Sequence, residues 1–152
     1  MAFETAWRIL GQAQDAEDAV QEALLTAVRL CEDQGVGNWG GLLRRIVARR
    51  ALDRLRTRRP AAPLVGEEQA PAAEQPDRLA MDRELARQLR AAVARLPERQ
   101  GEVFSLRFFG ELSNGEIAAT LEISLDAVGV ALHKARQQLK QSLKDYDRER
   151  TV

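Results

Sequence analysis

Few residues in this chain can do covalent or metal chemistry. Among its 152 residues there is one cysteine, Cys31, and one histidine, His133. A disulfide framework, a Cys/His zinc site and a Cys-His nucleophilic pair therefore have almost no material to work with, and a reducing, cytoplasmic setting is expected. Aromatic residues make up only 5%, and no run approaches the roughly 18 apolar residues of a membrane span. The opening stretch from Met1 to Leu10 carries Glu4 and Arg8 inside its apolar pattern, unlike a secretory signal. Carboxylates are scattered over helical surfaces with no convergent acid-base pair, and no Gly-rich phosphate cradle is present. Neither an enzyme nor a cofactor is expected, and no metal or catalytic residue is assigned.

What the chain does have is charge in blocks. The formal net charge is zero, from 23 basic and 23 acidic residues. Yet up to Gln34 the acids Glu4, Asp15, Glu17, Asp18, Glu22, Glu32 and Asp33 face only Arg8 and Arg29. From Gly35 to Arg59 the balance reverses, with Arg44, Arg45, Arg49, Arg50, Arg54, Arg56, Arg58 and Arg59 against Asp53 alone. Adjacent blocks of opposite sign suit a protein with two different partners.

Four of the five prolines lie between Pro60 and Asp77, where helical periodicity disappears. That stretch reads as an acidic Pro/Ala-rich linker, 60–77, between lobes at 1–59 and 78–152. In the first lobe, Asp15 with Asp18 three residues on reads as a helix N-cap with an acidic third position. Ala16, Ala19, Val20, Ala23, Leu24, Ala27, Val28 and Cys31 then repeat at threes and fours, an amphipathic helix with Cys31 as a small core residue. A second helix has Leu42, Leu43, Ile46, Val47, Ala51, Leu52 and Leu55 on one face and arginines on the other.

The second lobe begins with a stripe of Leu85, Leu89, Ala92, Val93 and Leu96 that stops before Pro97. Val103, Phe104, Leu106, Phe108 and Phe109 mark the next helix, with Gly110 as its expected C-cap. Ser113 and Glu116 form a Ser-x-x-Glu capping box that opens a short helix through Ile117, Ala118 and Leu121. After the break at 122–124, a longer helix buries Val128, Leu132, Ala135, Leu139 and Leu143 and shows Lys134, Arg136, Lys140 and Lys144. Two helices across a short turn make either a DNA-reading helix-turn-helix or an αα-hairpin that only packs. No strand pattern occurs, so the expected fold is all-α: two small helical domains on a flexible linker.

These residues resemble a known family. Val93-Ala-Arg-Leu-Pro-Glu-Arg-Gln100, Glu102-Val-Phe-Ser-Leu-Arg107, Leu112-Ser113, Glu116-Ile-Ala118, Leu121, Ile123-Ser124, Val128 and Leu132-His-Lys-Ala-Arg136 are similar to the fourth conserved region of extracytoplasmic-function (ECF) sigma factors. The stretch AQDAEDAVQE from Ala13 to Glu22, with Leu43-Arg-Arg-Ile46 and Ala51-Leu-Asp-Arg-Leu-Arg56, resembles the second region. The resemblance spans nearly the whole chain. It implies a winged-helix-like but strandless second domain, and a dissociable subunit of bacterial RNA polymerase that confers promoter recognition.

The resemblance also implies partners and roles. Asp15, Glu17, Asp18, Gln21 and Glu22 would meet the coiled coil of the polymerase β′ subunit, where an acidic face can steer a basic partner. A plain solvated face is the other reading. The second domain would meet the β flap, and an anti-sigma protein is a further expected partner. Asn38, Trp39, Arg44, Arg45, Arg49, Arg50 and Arg54 match the positions that hold the melted minus-ten strand, arginines on phosphate and Trp39 stacked on a base or acting as a core staple. Arg49 stands where many members have asparagine.

In the helix expected at about 125–138, Ser124, Leu125, Asp126, Ala127, Val130, His133, Lys134 and Arg136 match the minus-thirty-five readers. Gly129 and Ala131 replace a lysine and an arginine common in the family, which implies weaker binding and a salt slope lower by about one unit per lost contact. Glu122 stands where the family usually has glycine, a turn position suited to positive φ. Members usually have a further helix before the residues matching Phe3 to Gly11, so the expectation is either a trimmed or misassigned start or an incomplete first lobe that exposes apolar surface. The alternatives are a helix-turn-helix regulator that acts without polymerase and a sigma-like interaction module that does not initiate transcription.

Overall fold

A computed structural model describes residues 1–34, 37–58 and 76–151, and the stretch between the two lobes, residues 59–75, lies outside the described residues. Seven helices are described: α1 (Ala2–Leu10), α2 (Ala13–Gln34), α3 (Trp39–Thr57), α4 (Pro76–Ala94), α5 (Glu98–Phe108), α6 (Asn114–Leu121) and α7 (Leu125–Thr151). No strand occurs among the described residues, as the absence of any strand pattern in the sequence predicts.

Helices α1, α2 and α3 pack on one another, and α4, α5 and α6 gather around the long α7. Glycine at 11 lets the chain turn sharply from α1 to α2. Its φ is +70°, its N–H donates to the Trp7 carbonyl, and a Cβ there would overlap the Arg90 guanidinium at 2.6 Å. Helix α2 begins at Ala13, so Asp15 lies in its first turn and is not the N-cap. Its carboxylate instead accepts from Arg58 at 2.7 Å.

The buried stripe of α2 is narrower than its apolar pattern. Ala16, Ala19, Ala23 and Ala27 are buried, whereas Leu24 and Val28 are 47% and 54% exposed. Small residues bring α2 close to α1 and α3, and a three-helix layer covers only one stripe of the helix. Helix α3 shows the opposite deviation. Ile46, Val47, Ala48, Ala51, Leu52 and Leu55 are all buried because α3 is covered by α1 and α2 and also by the second lobe. The two lobes therefore share one contiguous cluster of buried apolar residues running through α3.

In the second lobe α4 starts at Pro76, two residues before the expected boundary. Leu85 and Phe108 are exposed rather than core. The α5–α6 turn differs from the simple glycine cap: Phe109 caps α5 in a right-handed conformation, and the positive φ falls on Glu111 at 56°. Gly110 is needed for closeness instead, since a Cβ there would meet the Leu106 carbonyl oxygen at 2.8 Å.

Candidate nucleic-acid interface

The helix-turn-helix is built from two caps and one left-handed residue. Ser113 Oγ accepts from the Glu116 N–H at 3.1 Å while the Glu116 carboxylate accepts from the Ser113 N–H at 2.9 Å, the reciprocal capping box. Helix α6 then ends at Glu122, whose φ of 55° reverses the chain where a glycine would do so without strain. Ser124 Oγ accepts from the Ala127 N–H at 3.1 Å and starts α7. Ile117, Leu121, Val128 and Leu132 close the angle between the two helices as a buried patch.

That packing leaves one face of α7 open. Leu125, Asp126, Ala127, Gly129, Val130, His133, Lys134 and Arg136 are all exposed, and no atom lies within 4 Å of the position of a Cβ on Gly129. Ala131 is only 7% exposed. An arginine at 131 would have to leave the packed face, so the alanine reflects packing as much as a lost phosphate contact. Arg136 stacks over the Phe108 ring, 5.2 Å from its centroid, and Arg107 lies 5.9 Å from the same ring. Phe108 thus holds one of the cations beside this open face.

In the first lobe the structure brings the acidic and basic blocks together. Arg54 pairs with Glu22 and lies 3.8 Å from Asp18, and Arg58 joins Asp15 while also donating to the Leu10 carbonyl at 2.7 Å. Arg50 donates to Thr26 Oγ1 at 3.3 Å. Of the five residues matched to polymerase contact, Asp15, Asp18 and Glu22 thus have partners inside the lobe. Glu17 and Gln21 are exposed with no polar partner among the described residues. They continue into exposed Leu24, Leu25 and Val28, which sequence periodicity had assigned partly to the core. The clue was an apolar stripe too wide for one helix face to bury.

The other candidates are positioned by α3. Asn38 is its N-cap, Oδ1 accepting from the Gly41 N–H at 3.1 Å, so this side chain is committed to the helix start. Trp39 follows at the first helical position and is 42% exposed, which leaves a ring face open and rules out a fully buried staple. Arg44 lies against the Met1 sulfur at 3.0 Å. Arg45 and Arg49 point across to α5, where they meet Glu102 and Glu98. The loop residues Gly35 and Val36 lie outside the described residues. Among the described residues there is no cluster of three or more potential metal ligands, and no helix is long and apolar enough to cross a membrane.

Comparison with known proteins accounts for both lobes. Residues 1–60 match the model of sigma-70 region 2, and residues 86–139 match that of sigma-70 region 4. The ECF RNA polymerase sigma factor SigE of Mycolicibacterium smegmatis is 32% identical over 151 residues, covering 97% of this chain and 59% of that protein. The ECF RNA polymerase sigma factor SigW of Bacillus subtilis is 26% identical over 155 residues, covering 94% and 83%. Among solved structures, that of the Mycobacterium tuberculosis extracytoplasmic function sigma factor SigJ is 26% identical, with a TM-score of 0.49, covering 90% of this chain and 48% of that one. The chain belongs to the sigma-70 family, among the members named as ECF sigma factors. It spans about three fifths of the length of the SigE relative.

Proposed function

We propose that this chain directs promoter-specific initiation by bacterial core RNA polymerase, through binding and without bond chemistry of its own. In this reading residues 1–59 dock on the β′ coiled coil and hold the melted minus-ten strand. Residues 78–152 bind the β flap and the minus-thirty-five duplex, and 60–77 join the two. The observation that carries it is the open face of α7, presented by a doubly capped helix-turn-helix in a chain that also matches region 2. A helix fits the major groove with its N-terminal residues at base edges, which suits Leu125, Ala127 and Val130 to apolar contact and Lys134 and Arg136 to phosphate. On α2, Glu17, Gln21, Leu24, Leu25 and Val28 form an exposed stripe, acidic at one end and apolar at the other, suited to a basic amphipathic partner. Tethering two weak DNA contacts on one chain raises the effective concentration of each for the other. An anti-sigma protein covering the same stripe, and a cytoplasmic location, follow from the same reading.

One observation favours a second reading, an interaction module without initiation activity: Gly129 leaves the reading face short of a cation. Run-off transcription by core polymerase on a genomic-fragment library, beside a β′ coiled-coil pull-down, separates the two. The expected outcome is new start sites that share upstream elements. Glu17→Lys should abolish both pull-down and transcripts while leaving the melting temperature unchanged. Pull-down without transcripts identifies the interaction module.

A further inference from the structure

The aromatic cluster at the end of α5 reaches out of the core. Phe104 is buried, and Phe108, one turn on, has its ring centroid 4.6 Å from that of Phe104 and its plane tilted by 35°. Phe109 meets Phe104 edge-on at 6.0 Å. Phe104 thus backs the Phe108 ring, while Phe108 itself stays 42% exposed. Beside this platform stand the guanidinium of Arg136 from α7, 5.2 Å from the centroid, and that of Arg107 at 5.9 Å. Neither guanidinium forms an ion pair or a hydrogen bond among the described residues, whereas Arg45, Arg49, Arg54 and Arg58 of the first lobe each meet a carboxylate. Two cations beside one ring, with no acid to neutralise them, attract an anion. The open face of α7 has few other cations. Gly129 supplies none, Ala131 is turned inward, and from Leu125 to Leu139 only Lys134 and Arg136 are basic apart from His133.

We propose that Phe108 is a positioning residue for duplex DNA: it holds Arg136 at the α5 edge of the open face, where the guanidinium meets a backbone phosphate. The proposal rests on the reading of α7 as the duplex-binding helix. Stacking uses the flat face of a guanidinium and leaves its in-plane N–H groups to donate to phosphate oxygens. An arginine already held gives up less freedom on binding than one that swings in solvent. Phe108 acts through Arg136 and reads no base, so it adds affinity at every sequence and registers in the salt dependence as one phosphate contact.

The test measures binding of the full chain to a fluorescein-labelled pool of random duplex DNA of about 20 base pairs, by anisotropy over a series of salt concentrations. Phe108→Leu keeps apolar bulk and removes the ring, Phe108→Tyr keeps the ring, and Arg136→Gln removes the cation. Phe108→Leu is expected to bind about fivefold more weakly and to lower the slope of log affinity against log salt by about one unit, as Arg136→Gln does. Phe108→Tyr should keep the wild-type affinity and slope. In the Arg136→Gln background, Phe108→Leu should have no further effect.

A ring that only supports the fold would weaken binding without changing the slope, so Phe108→Leu with the wild-type slope overturns the proposal. Phe108→Tyr that behaves like Phe108→Leu overturns it too, as does an undiminished effect of Phe108→Leu in the Arg136→Gln background. Lys134→Gln, on the same helix, separates the two levels of failure. Weaker binding by Lys134→Gln and Arg136→Gln, with Phe108→Leu like wild type, removes the positioning role and leaves the reading of α7 standing. Binding that neither Lys134→Gln nor Arg136→Gln weakens, or no binding by wild type at the lowest salt, sinks that reading and the proposal together.

Discussion

At the residue scale the helix-turn-helix carries two local costs. Glu122 holds φ at 55° with no hydrogen-bond partner for its carboxylate among the described residues. A side chain bearing a Cβ is crowded in that conformation, so Glu122→Gly should raise stability by about 1 kcal/mol, read from thermal unfolding. Gly129 sits inside α7 with open space around it. Gly129→Ala is expected to stabilise the helix by about 1 kcal/mol and to leave DNA affinity unchanged, by chemical denaturation and by binding at fixed salt. Reduced affinity in Gly129→Ala would instead mean that DNA backbone approaches this position closely. Both glycine arguments were legible in the sequence, since turn position and helix interior follow from local pattern. The role of Gly110 was not, because its constraint is the Leu106 carbonyl across the turn.

At the scale of helices, α2 and α3 divide their charges between internal and external use. Asp15, Asp18 and Glu22 meet Arg58 and Arg54 across the α2–α3 contact, while Glu17 faces out. Charge reversal therefore has two distinct signatures. Asp15→Lys sets a cation against Arg58, itself bonded to the Leu10 carbonyl, and should destabilise the first lobe by about 1 to 3 kcal/mol as well as weakening polymerase binding. Glu17→Lys should affect binding alone. Circular-dichroism melts beside the β′ pull-down distinguish them, and equal melting temperatures for the two variants would contradict the pairing. Helix positions were readable to within two or three residues for α3, α4, α6 and the start of α7, because caps and apolar period are local. Which acids of α2 remain available was not readable, since all five share one short stretch of sequence.

For the whole molecule, α3 is the element on which both lobes depend. Leu52 is 2% exposed, and its Cδ1 lies 3.9 Å from where a Cβ on Gly101 of α5 would stand. Leu52→Ala leaves a cavity in the shared cluster and should cost about 2 to 5 kcal/mol. Because the core is continuous, that loss should lower protection from hydrogen exchange in α5 as well as in α1 and α2, within a single thermal transition. Two separate transitions, with α5 unaffected, would show that the lobes unfold independently. Arg8, beyond the core, reinforces the same seam: its hydrogen bond to Glu111, with Glu4 close by, holds its guanidinium pKa above the ordinary value.

The sequence by itself determined the all-α class, the capping box at Ser113, the turn at Glu122 and the family resemblance on which the proposed roles of α2, α3 and α7 rest. Each of these depends on residues close together in the chain, where hydrogen bonding to neighbouring amides and a 3.6-residue period act directly. Only the tertiary structure decided that Leu24 and Val28 face outward, that Ala131 faces inward, and that the arginines of α3 are held by Glu98 and Glu102. Those outcomes depend on which face of a helix a distant segment covers. A helix with apolar residues over more than one stripe allows several such choices, and burial of apolar area together with the pairing of buried charges selects among them.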